Sequence, residues 1–103
     1  MKREMEIQLM IDDLVGEQKI DFYSNSNRDL LDKLKKRTAL EYAEYLQYEI
    51  ERLDNIEEIE DFIVYEKDTL FKEGVSTNSE EEKTEAAIKL NLCNKVLRIM
   101  QSL

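Results

Sequence analysis

Proline is missing from this 103-residue chain, and glycine occurs only at Gly16 and Gly74. Tight hairpin turns lean on these two residue types, whereas helices are broken by them, so the composition points away from an all-β fold and toward long helices. Histidine and tryptophan are absent as well. Without histidine the chain lacks the commonest general base and the commonest metal ligand. A single cysteine, Cys93, allows neither an internal disulfide nor a cysteine zinc site. Set among Leu90, Leu92 and Leu97, it reads as a buried structural thiol. There is no glycine-rich phosphate loop, no Ser–His or Cys–His pairing and no calcium-loop spacing. The expectation is therefore a protein with no cofactor, no metal and no catalytic residues. No long apolar run occurs, and Glu4, Glu6, Asp12 and Asp13 make the first segment too acidic for a signal peptide. A cytoplasmic protein without membrane contact is expected.

What is present is charge and a moderate apolar content. The apolar fraction of 42% is that of a folded protein despite 38% charged residues. A chain of this length has room for a single helical domain, residues 1–103, with a modest core. The net charge is −9, which argues against direct contact with nucleic-acid phosphates or anionic lipid. Its distribution is uneven. Residues 56–85 hold eleven acids against three bases, while residues 86–103 hold three bases and no acid.

Along the chain, Ile7, Met10, Ile11 and Leu14 recur at helical spacing and favour a helix over about residues 4–15, with Gly16 placed as its terminator. The alternation of Met5, Ile7, Leu9 and Ile11 leaves a small hairpin with Lys19–Tyr23 as the other option. Asn27 is the expected N-cap of the next helix. From there Leu30, Leu34, Thr38, Ala39, Tyr42, Ala43, Tyr45, Leu46, Ile50 and Leu53 cover a broad, mainly apolar arc. Beyond Leu53 the pattern slips by three residues to a narrower seam of Ile56, Ile59, Ile63 and Leu70. Either one helix runs through 28–73 as a rod of about 70 Å, which would require a dimer, or it folds back at Asp54-Asn55. Asn55 with Glu58, and later Ser79 with Glu82, have the form of capping boxes. Gly74 is expected to end the central helix. The last helix buries Ile88, Leu92, Val96, Ile99 and Leu103, widened by Ala86, Leu90, Cys93, Leu97 and Met100.

Three constellations bear on function. The acids Glu57, Glu58, Glu60, Asp61, Glu66, Asp68, Glu73, Glu80, Glu81 and Glu82 form a dense row that can imitate phosphate spacing on a partner's basic groove; a solvated face is the plainer reading. Tyr42, Tyr45 and Tyr48 form an aromatic edge suited to an interface, with Tyr48 expected to be the most exposed. Arg28, Lys33, Lys35, Lys36 and Arg37 form a basic cluster expected to be solvated or paired, for instance Arg37 with Glu41.

The chain is thus read as an all-α bundle, more readily a homodimer than a monomer, with Ile56, Ile59, Ile63 and Leu70 as the dimer seam. Its expected function is non-catalytic: a small regulator or inhibitor that lays Glu57, Glu58, Glu60, Asp61, Asp68, Tyr45 and Tyr48 on a basic, nucleic-acid-binding surface of a partner protein. Small phage and mobile-element proteins of this composition work that way, an analogy of composition alone. One alternative is a structural or adaptor dimer. A second is an Mg²⁺-dependent hydrolase, because Glu41-x-x-Glu44 followed by Glu58-x-x-Asp61 has the spacing that all-α NTP pyrophosphohydrolases use to hold the metal. Glu41 and Glu44, however, fall on the polar side of their helix.

Overall fold

The computed structural model describes residues 3–24 and 29–103. They form four helices of nearly equal length: α1 (Arg3–Ser24), α2 (Leu30–Glu51), α3 (Ile56–Ser76) and α4 (Glu80–Gln101), with no strand among the described residues. None of these helices is long and apolar enough to cross a membrane.

The first helix does not stop at Gly16. It continues to Ser24, so neither the short helix nor the hairpin option describes this segment. Two contacts hold the extended helix against α2: Gln47 Nε2 donates to Asp12 at 2.7 Å, and Lys36 pairs with Asp21 at 2.9 Å. The apolar face also carries on, since Ile7, Ile11, Leu14 and Val15 are buried and Phe22 packs against the same core. That continuing face outweighs the modest helix penalty of one glycine, about 1 kcal/mol relative to alanine.

Asp29 is the N-cap of α2, its side chain accepting from the Asp32 amide at 2.8 Å; the expected cap, Asn27, lies outside the described residues. The central region breaks where the apolar pattern slips. Asn55 adopts extended backbone and accepts from the Glu58 amide at 2.9 Å. Glu58 Oε2 in turn accepts from the Asp54 amide at 3.2 Å, a reciprocal cap displaced by one residue from the usual box. The helical rod is thereby excluded, and the molecule measures 42 × 34 × 21 Å.

Gly74 lies inside α3, which runs on to Ser76 and is capped by Thr77, whose amide donates to the Glu73 carbonyl at 3.2 Å. The glycine faces α4, where an added Cβ would stand 3.5 Å from Ala86 Cβ, an ordinary contact. Ser79 then caps α4 as the sequence suggests, with Glu82 donating its amide to Ser79 Oγ at 3.3 Å.

Helices α1 and α2 pack along each other, as do α3 and α4, and the two hairpins join chiefly through α2 against α4. Between them lies one core built from all four helices. Ile59, Ile63 and Leu70 are buried in it and Ile56 is half-buried against it. The isoleucine seam is therefore filled from within the chain, which corrects the expectation that a second copy would cover it.

Two substitutions test this packing. Ile59→Ala should cost about 2–5 kcal/mol by chemical denaturation, because Ile59 is fully buried in the shared core. Gly16→Ala should add about 0.5–1 kcal/mol, since nothing lies within 4 Å of the added Cβ and the backbone there is helical.

Candidate functional site

Helix α3 carries Glu57 and Glu58 in its first turn, where the positive end of the helix dipole favours negative charge. At 3.6 residues per turn, Glu57, Glu60, Asp61, Val64, Asp68, Phe71 and Val75 fall on one stripe that runs the length of the helix. All seven are exposed. Among the described residues Glu57, Glu60 and Asp61 take part in no ion pair, whereas Asp68 is bridged to Lys72 at 3.0 Å. Glu58 falls outside this spacing and is engaged in the turn through the Asp54 amide.

The apolar members of the stripe were not legible as a site. Val64 is 50% exposed, Phe71 61% and Val75 69%. Their spacing of seven and then four residues is the helical signal that could have identified them, but the seam of Ile59, Ile63 and Leu70 explains α3 without them. The helix thus carries two apolar stripes, one spent on the core and one left in solvent.

The tyrosines belong to α2, where Tyr42 and Tyr45 meet Glu66 and Phe62 of α3, and they separate in role. Tyr48 is 60% exposed, with Arg52 over its ring at 5.5 Å. Tyr45 is exposed in part and packs its ring on Tyr42 at 5.6 Å and on Phe62 at 6.2 Å. Tyr42 is a core residue. Its hydroxyl donates to Glu66 Oε1 at 2.8 Å and lies 3.4 Å from Cys93 Sγ. Burial above all, then Cys93 and Glu66, pushes the Tyr42 phenol far above its ordinary range. Burial likewise pushes the Cys93 thiol up, against the opposite pull of the Tyr42 hydrogen bond. Tyr45 is also raised, by burial first and then by Glu66 and Glu49.

A cleft of about 500 Å³ opens between α2 and α3 above Tyr42, with Glu41, Glu66, Glu73 and Glu85 along it and Lys89 as the cation among its lining residues. Lys89 Nζ stands 5.7 Å from the Tyr42 ring centroid. Glu41 reaches this cleft, but Glu44, Glu58 and Asp61 do not line it. Among the described residues no group of three or more acidic or cysteine side chains is arranged to hold a metal ion, so the four carboxylates of the hydrolase spacing do not converge. Within the basic cluster, Arg37 pairs with Glu41 at 3.6 Å and Lys36 with Asp21.

Comparison with protein-family models, curated proteins and solved structures finds no match.

The Tyr42–Cys93–Glu66 arrangement has a pH signature. In the unfolded chain the phenol and the thiol titrate at their ordinary values of 10.0 and 9.0. The folded protein holds both protons, so at alkaline pH it binds more protons than the unfolded chain, and stability falls as pH rises through 9 and 10. Tyr42→Phe should flatten this alkaline loss in thermal melts between neutral pH and about pH 11, while lowering stability at neutral pH by about 1–2 kcal/mol because Glu66 loses its donor.

Proposed function

We propose that this chain is a non-catalytic regulator that binds a partner protein by laying the acidic side of α3 on a basic surface, one that otherwise holds nucleic acid. The observation that carries this reading is the state of Glu57, Glu60 and Asp61: exposed, on an ordered helix, and without an ion pair among the described residues. Carboxylates fixed on a helix need no ordering when a cation arrives, so the attraction is not offset by freezing a mobile segment. With a net charge of −9 on 103 residues, the field of the whole chain steers it toward a positive partner and away from nucleic acid itself.

Tyr45 and Tyr48 lie away from the α3 stripe, so their part in binding is separable from that of the acids. An adaptor built on these two tyrosines would survive loss of the acids and fail in Tyr45→Ala or Tyr48→Ala.

The test is capture from native-cell lysate on the immobilised protein at low salt, with elution by rising salt. Basic proteins should be retained and released as the screening length shrinks from about 10 Å at 0.1 M salt toward about 3 Å at 1 M. A chain carrying E57K, E60K and D61K should retain none of them, and excess nucleic acid should displace them from the wild type. Retention indifferent to salt and to charge reversal would overturn the reading.

A further inference from the structure

The solvent-facing stripe of α3 is not purely acidic, and its apolar members restrict what can sit on it. Val64, Phe71 and Val75 are each at least half exposed, and Glu57, Glu60, Asp61 and Asp68 stand along the same stripe. From Glu57 to Val75 it runs five turns, about 27 Å at 1.5 Å per residue. We infer that this stripe takes a basic amphipathic helix of the partner protein. Its apolar positions would lie on Val64, Phe71 and Val75, and its lysines or arginines over Glu57, Glu60, Asp61 and Asp68. The inference rests on the proposed function and specifies the element of the partner that α3 binds.

Charge and shape both select this occupant. A surface that only imitates phosphate has no use for an exposed phenylalanine, which stays in water unless its partner is also apolar. A partner helix with apolar residues three and four apart presents a ridge that fits beside the ridge of α3, and the long stems of lysine and arginine cover apolar surface while their charged ends reach the carboxylates. Two copies of this chain meeting stripe to stripe would instead oppose the acids against one another if parallel, and set Glu57, Glu60 and Asp61 against Phe71 and Val75 if antiparallel, so neither arrangement supplies them a cation. The chain does hold another apolar and basic segment, at the start of α2, where Leu30, Leu31 and Leu34 are exposed beside Lys33 and Lys35. A second copy docking through that segment is therefore an outcome the experiment must separate.

Two synthetic peptides of about 18 residues serve as probes, one with leucines at helical spacing flanked by lysines, the other with the same composition in an order that destroys the spacing. Affinities for the full chain are measured at about 0.05 M and about 0.5 M salt, and the site is located from methyl shifts of Val64 and Val75. The patterned peptide should bind at least about tenfold more tightly than the scrambled one at the higher salt, where charge alone is screened. The variant V64S/F71S/V75S should lose about tenfold or more in that affinity while its thermal stability stays that of the wild type, because none of the three is in the core. Equal binding of the two peptides would sink the helix inference and leave the acidic-surface reading standing. Binding that ignores E57K/E60K/D61K at low salt would sink both. Sedimentation showing a dimer that F71S dissolves would assign the stripe to a second copy and overturn the inference.

Discussion

The turn at Asp54 and Asn55 governs most of what this molecule presents to solvent. Were α2 and α3 one helix, α4 could still fold against Ile59, Ile63 and Leu70, but that pair would stand apart from α1 and α2 along a rod. Folding back joins the two hairpins, so that all three lie buried in a core built from all four helices. The same reversal brings Glu66 to Tyr42 and Tyr42 to Cys93, tying α2, α3 and α4 together through two hydrogen bonds across long sequence separations. A cap of modest strength, Asn55 on the Glu58 amide with Glu58 on Asp54, thus marks the point at which an elongated helix becomes a four-helix core.

Charge is partitioned in step with this packing. No charged side chain is buried among the described residues, so the desolvation cost of an interior ion is avoided throughout. The ion pairs that form are at the surface, such as Lys72 with Asp68 and Lys36 with Asp21, and pairs of that kind contribute little to stability. Glu57, Glu60 and Asp61 are consequently spare as far as folding is concerned, unlike Glu58 in the turn and Glu66 on Tyr42. Glu57 gains something from the helix N-terminus, but Glu60 and Asp61 are neither paired nor needed by the core. Residues that a fold does not require are the ones free to be shaped by a partner.

How much of this was legible in the sequence follows from which forces act locally. Capping is local, and Asn55 and Ser79 were readable as helix starts from two residues each. The three-residue slip in the apolar pattern located the break between α2 and α3, because period is a property of the helix itself. The glycines misled for the opposite reason. Helix α1 runs on past Gly16 with Gln47 and Lys36 of α2 holding Asp12 before it and Asp21 beyond it, and α3 runs on past Gly74 where the glycine faces Ala86 of α4. Neither partner is near in sequence. The burial of the isoleucine seam was hidden likewise, since its cover comes from a helix two dozen residues on. Of the site, the acids and Tyr48 stood out by type and spacing, but Val64, Phe71 and Val75 did not, because an apolar residue carries no mark of whether its neighbour is the core or the solvent.

Two apolar stripes on one helix also set what kind of complex the proposed function would produce. Carboxylates act at long range and raise the rate of encounter, yet salt screens them and they discriminate weakly among basic partners. Apolar contact acts only at touching distance and governs how long a complex lasts, since most differences in affinity among related complexes lie in dissociation. On α3 the free acids cluster in the first two turns and the exposed apolar residues lie in the remaining turns. A basic helix approaching this surface would be attracted first toward the Asn55 end and would then settle along Phe71 and Val75. Under that arrangement direction as well as charge is read, because a helix whose cations and apolar residues run in the reverse order meets one set of contacts and forfeits the other.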